Sequence, residues 1–205
     1  MTENLGEKIG LEEKYFLLNN IKVRQPTSLT LTSKQWTKED GRLDEMKLSR
    51  DLTHFLNRVN YQIFRKGFTR YQKRLGVISV LEGGGLKHLH CHLTIEQPQN
   101  LDFQDFEEVI RSCWSKSKFG YSDNHGVSMS PVTSNGWYEY QLKNRTKQDG
   151  KYSSIDWINT TPSNWWNNSQ PEKSQSTQQG LLAITLGSFP VPITNIRKYK
   201  DHERT

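Results

Sequence analysis

Polar and apolar residues alternate through Ser28-Leu29-Thr30-Leu31-Thr32, the period-two pattern of a half-buried strand. From about Leu43 to Lys66 the period changes. Leu48, Leu52, Phe55, Leu56, Val59 and Ile63 recur at helical spacing, with Arg50, Asn57 and Arg58 outside the stripe, which predicts one long amphipathic helix. Gly76 to Glu82 is apolar at nearly every position, as in a central strand covered on both faces. Gly83-Gly84-Gly85 then supplies a hairpin into a partner strand from His88 to Glu96. Asp102 can cap a helix carrying Phe106, Val109, Ile110, Cys113 and Trp114 on one face. A last alternating stretch, Gly126 to Val132, precedes a short helix from Gly136 to about Asn144, with Ser134 as its N-cap.

This order, β-α-β-β-α-β, predicts an α+β fold: an antiparallel sheet of four to five strands, both long helices on one face and the other face free for a site. Residues 1–26 read as an N-terminal extension, 27–149 as the main domain and 150–205 as a polar loop with a C-terminal extension. Gly150 to Gln179 is rich in Ser, Thr, Asn and Gln around Trp165 and Trp166, as in a long loop or linker. Leu181 to Leu186 regains apolar character and can add an edge strand, and Arg197 to Thr205 is a charged tail.

Composition narrows the field without choosing within it. A chain of 205 residues suffices for one domain with a real core. No apolar run nears the roughly 18 residues that span a bilayer, so no membrane partner is expected. Glu3, Glu7, Glu12 and Glu13 without an apolar stretch do not read as a secretory signal, and an intracellular location is expected. Cys91 and Cys113 are too few for a disulfide framework and read as buried thiols. A net charge of +6 favours polyanionic partners without identifying one.

Candidate chemistry concentrates in Lys87-His88-Leu89-His90-Cys91-His92-Leu93-Thr94-Ile95. Alternation sends His88, His90 and His92 to one face and Leu89, Cys91, Leu93 and Ile95 to the other, which must be the core. Imidazoles two residues apart on a strand can converge on a metal. Glu82 can complete the set if the loop between paired residues has odd length. With the five residues Gly83 to Lys87 as that loop, Glu82 lies opposite His88 and shares a face with His90 and His92. Two neutral imidazoles and a carboxylate, with positions left open, suit Mg2+ or Mn2+.

A second constellation is Trp137-Tyr138-Glu139-Tyr140-Gln141-Leu142-Lys143. On a helix Tyr138 and Leu142 form an apolar, core-facing pair, whereas Tyr140 and Lys143 share another side. Tyr140 is therefore the candidate nucleophile. Lys143 or a metal would have to favour its phenolate or stabilise phosphate charge. Standing alone, the heptapeptide reads first as two tyrosines that only pack a helix onto a sheet.

Together these segments resemble the HUH endonuclease superfamily, in particular its rolling-circle replication initiators with a single catalytic tyrosine. Ser28 to Thr32 resembles the first, structural motif, His90-Cys91-His92 the motif that names the family, and Tyr140-Gln141-Leu142-Lys143 the tyrosine motif. Glu82 sits where several initiators place the third metal ligand. His88-Leu89-His90 also fits the histidine motif, so His88 stays open as an alternative ligand, although Leu93-Thr94-Ile95 after His92 favours the later pair.

The resemblance covers about Thr27 to Lys147. It implies an RRM- or ferredoxin-like nuclease core that nicks and rejoins single-stranded DNA at a replication origin or hairpin of a virus or plasmid, in the host cytoplasm. Lys87, Trp137, Arg145 and Lys147 would contact the DNA, and Trp36, Trp165 and Trp166 are further stacking candidates. No GxxxxGK followed by Ser or Thr is present, so a separate helicase and the host polymerase are the expected partners. Competing readings are a single-tyrosine transposase or relaxase of the same fold, a hydrolase in which water attacks, and a non-catalytic nucleic-acid-binding module.

Overall fold

Four antiparallel strands form the main sheet of the computed structural model, which describes residues 16–17, 20–84, 87–121, 126–134, 136–141 and 155–163. In chain order the elements are β1 (Pro26–Thr32), β2 (Trp36–Thr37), β3 (Gly41–Arg42), α1 (Glu45–Phe64), α2 (Lys66–Tyr71), β4 (Val77–Gly84), β5 (Lys87–Glu96), α3 (Phe103–Ser115), β6 (Val127–Pro131) and α4 (Gly136–Gln141), followed by a 3-10 turn (Trp157–Asn159). The sheet runs β4-β5-β1-β6, while β2 and β3 make a small separate hairpin. The chain divides into Met1–Pro171, which holds all described residues, and Glu172–Thr205.

The amphipathic stripes decide where the helices lie. α1 buries Leu48, Leu52, Phe55, Leu56 and Val59, and α3 buries Phe106, Ile110, Cys113 and Trp114. Both pack on the sheet face formed by Leu29, Leu31, Leu89, Cys91, Leu93 and Ile95. Fully burying one such large apolar side chain contributes about 1.5–3 kcal/mol. Asp44 and Asp102 cap the two helices, accepting from the backbone of Lys47 and Asp105 at 2.8 Å each. Both cysteines are free and buried, and burial pushes their thiols up.

β4 departs from expectation. Its apolar run predicted a central strand, yet it borders the sheet. The run is explained by burial on both faces: Val77 belongs to the main core, while Ile78 and Val80 form a second cluster with Leu17, joined by Ile21, Val23, Tyr138 and Ile155. The sheet face opposite α1 and α3, expected to be free, is thus partly covered by the N-terminal segment and α4. The outer border of β4 is covered too, by isolated bridges from Val77 to Thr161 and from Val80 to Ile155.

That covering segment is pinned through buried polar groups. Asp156 accepts from Ser49 Oγ at 3.0 Å, and Asn159 accepts from Thr53 Oγ1 at 2.9 Å while donating to the Ser49 carbonyl at 2.9 Å. At its far end Ser163 Oγ donates to Glu96 Oε2 at 2.9 Å, and Glu96 also pairs with Arg24 at 3.1 Å.

Candidate metal centre and tyrosine helix

The β4–β5 hairpin sets the register on which the site depends. It closes more tightly than the five-residue loop expected from sequence, with Gly84 opposite Lys87 and a register shift between Gly84 and Glu82. Gly83 alone then faces His88 and Leu89, a bulge that leaves Glu82 opposite His90 rather than His88. Gly83 has φ +103°, and a Cβ there would collide with the His88 carbonyl oxygen, so only glycine fits. Gln35 supports the bulge from the other side. Its side-chain amide accepts from Leu89 N at 2.8 Å and donates to Leu89 O at 2.9 Å, prolonging the ladder beyond the last β1–β5 pair, Thr32 with His90. Sequence reading missed Gln35, whose position in a loop carries no pattern.

With this register Glu82, His90 and His92 bring one ligand atom each to within 4.8 Å of one another, a group that could hold a metal ion. Glu82 Oε2 lies 3.0 Å from His92 Nε2 and 3.8 Å from His90 Nε2. Donors sharing one divalent cation at about 2.1 Å stand no more than about 4.2 Å apart, so a slight contraction suffices. The supporting bonds are of the kind that orient ligating histidines. His90 Nδ1 is 3.0 Å from the His88 carbonyl, which can only accept, so a neutral ring carries its proton on Nδ1 and leaves Nε2 as the donor atom. His92 Nδ1 meets Thr30 Oγ1 at 2.9 Å, which turns its Nε2 toward Glu82. His88 is exposed and outside the group.

α4 brings aromatic side chains against these imidazoles. The Tyr140 ring centroid is 5.4 Å from that of His92, and Tyr140 stacks on Trp137 at 5.6 Å with 26° between planes. Tyr140 is 45% exposed. Tyr138 instead packs against Ile78 and Val80, and burial pushes its phenol up. Gln141, mentioned in the sequence only as part of a motif, fixes the helix. Its buried amide donates to the carbonyls of Ile78 at 3.1 Å and His92 at 2.8 Å and accepts from Thr94 Oγ1 at 2.8 Å. Trp137 Nε1 donates to the same Thr94 hydroxyl at 2.9 Å.

Lys87 pairs with Gly84 at the hairpin. Lys143, Arg145, Lys147, Trp165 and Trp166 lie outside the described residues, and Trp36 is 62% exposed in the small β2–β3 hairpin. No described helix is long and apolar enough to cross a membrane. Compared with known proteins, the chain matches no family model, no curated protein and no solved structure.

Proposed function

We infer that the protein is a metal-dependent nickase of single-stranded DNA that works through a covalent tyrosine intermediate, as an HUH-type replication initiator would. The observation that carries this reading is the meeting of three potential metal ligands, Glu82, His90 and His92, with an exposed phenol whose ring is 5.4 Å from the nearer imidazole. The connectivity β1-α1-β4-β5-α3-β6, with α1 and α3 on one face, supports a ferredoxin-like nuclease core.

Glu82, His90 and His92 would hold Mg2+ or Mn2+. A divalent cation there supplies positive charge that polarises a scissile phosphate. Tyr140 Oη attacks phosphorus and gives up its proton to solvent. The bond from phosphorus to the 3′ oxygen breaks, the departing oxygen takes a proton, and the strand's 5′ phosphate remains esterified to Tyr140. One phosphodiester replaces another, so ATP has no part and a free 3′ hydroxyl can reverse the step. Trp137 backs the Tyr140 ring and holds its orientation through Thr94. In this reading Lys143 stabilises charge near the phenolate, and Lys87, Arg145 and Lys147 engage the DNA backbone at an origin or hairpin. A helicase and a polymerase would then act on the nicked strand.

The test is incubation of the full chain with single-stranded oligonucleotides and Mn2+, resolved on a denaturing gel. A covalent adduct that disappears in Tyr140→Phe and persists in Tyr138→Phe is expected. Cleaved product without adduct would assign attack to water, and intact bound DNA would leave only a binding module.

A further inference from the structure

Between Asp51 and Glu82 the sequence has no acidic residue, while Arg58, Arg65, Lys66, Arg70, Lys73 and Arg74 fall within that interval. The fold collects most of these cations at one corner. α1 stops at Phe64, Arg65 turns the chain with φ 50°, and α2 follows at once until Gln72, at φ 56°, closes it. Arg65, Lys66 and Arg70 are exposed, and so are Tyr61, one helical turn before Arg65, and Tyr71, next to Arg70 in the chain, at 48% and 64%. The Arg65 guanidinium lies 5.6 Å from the centre of the Tyr61 ring. Among the described residues no salt bridge involves Arg65, Lys66, Arg70 or Arg74. Arg58 is engaged otherwise, donating to the Cys113 carbonyl at 3.3 Å and to the Ser117 hydroxyl.

This corner is not part of the metal centre. α1 packs on the opposite face of the sheet, and α2 leads into the start of β4, whereas Glu82 stands five residues farther along that strand. At the rise of a strand that is roughly 17 Å.

Exposed cations without an ionic partner among the described residues attract phosphates and release their counterions. Cations alone would suit any polyanion, but exposed phenol rings on the same two helices add a surface on which unpaired bases can stack, which duplex DNA does not present. The left-handed backbone at Arg65 is a position that favours glycine, and an arginine stands there beside Tyr61. We propose that the α1–α2 corner is a second nucleic-acid site that takes single strands, with backbone phosphates on Arg65, Lys66 and Arg70 and bases on Tyr61 and Tyr71. The proposal does not require that the protein nick DNA.

The test measures fluorescence anisotropy of a labelled oligo-dT of about 20 nucleotides with the full chain in EDTA, over a KCl series. Lys66→Glu/Arg70→Glu should raise Kd at least about tenfold and flatten the salt slope by about 1.4, from two phosphate contacts at about 0.7 each. Tyr61→Ala/Tyr71→Ala should raise Kd at least about fivefold with the slope unchanged. Lys116→Glu/Lys118→Glu carries the same change of charge elsewhere and should move Kd less than about twofold. Circular dichroism confirms that each variant folds. An unchanged Kd in either corner variant overturns the proposal, as does an equal loss in the Lys116/Lys118 variant or equally tight binding of a duplex of the same length. Adduct formation by the same proteins in Mn2+ reads the nicking function separately.

Discussion

Glu82 meets His92 more closely than it meets its own register partner: its Oε2 lies 3.0 Å from His92 Nε2, against 3.8 Å from the Nε2 of His90, directly across the ladder. The carboxylate therefore reaches diagonally between the two imidazoles and gathers three donors around one point. Neither ring is free to turn away, because Thr30 holds one behind its Nδ1 and the His88 carbonyl holds the other.

If Thr30 orients His92, Thr30→Val should weaken Mn2+ binding by about 10- to 100-fold, the usual effect of losing such an outer partner. Titration calorimetry would show it. The melting temperature should change little, because valine suits a strand as well as threonine does. Unaltered affinity would separate the hydroxyl from the metal centre.

Gly83→Ala tests the bulge. The new methyl would meet the His88 carbonyl at a backbone angle that L residues rarely adopt. A loss of about 1–3 kcal/mol in urea unfolding is expected, together with loss of Mn2+ affinity, since Glu82 depends on the bulge for its place opposite His90. Full stability with full metal affinity would contradict the register.

Tyr138 provides a prediction in pH. Burial raises its phenol pKa above the ordinary tyrosine value near 10, so the folded state favours the protonated form. The stability this contributes is complete below the unfolded pKa and is lost as pH climbs through the folded one. Absorbance titration near 295 nm should show a late-ionising phenol that is absent from Tyr138→Phe, and the fold should weaken over that alkaline range. An unchanged late phase would remove the assignment.

The segment Ile155–Ser163 predicts where the chain can be shortened. A chain ending at Gly150 loses the bridges to Val77 and Val80 and leaves Ser49, Thr53 and Glu96 without Asp156, Asn159 and Ser163. It should melt lower than one ending at Pro171 and self-associate in size-exclusion chromatography through the bared strand. Equal melting temperatures would make the segment dispensable.

Much of this was readable in the amino-acid order wherever one element sufficed to set the pattern. The stripes of α1 and α3 and the alternation of His88, His90 and His92 depend on a local period, and the cap at Asp102 on a single residue placed just before one, whereas the cap at Asp44 emerges only with the fold. The cover over β4 was not readable, because Leu17, Ile21 and Val23 lie more than 130 residues from Ile155 in the chain and acquire a common face with it only after folding. Parity left the face of Glu82 conditional on the loop: the two positions between Gly84 and Lys87 are an even number, and the bulge at Gly83 is what returns Glu82 to the histidine face. Parity also could not choose between His88 and His90, since that choice depends on the backbone angle of one glycine. Gln35 and Gln141 gave no periodic signal at all, as amides become informative only once their backbone partners are known.

Gln141 also limits how the neighbouring tyrosine can be used. One amide ties the helix to carbonyls on β4 and β5 and to a hydroxyl that also receives the Trp137 indole. A swing of that helix would sever these ties together, so in the proposed nickase the strand would have to fit itself to a phenol that stays in place. Transplanting the tyrosine into another scaffold would mean moving Thr94, Trp137 and Gln141 with it as one piece.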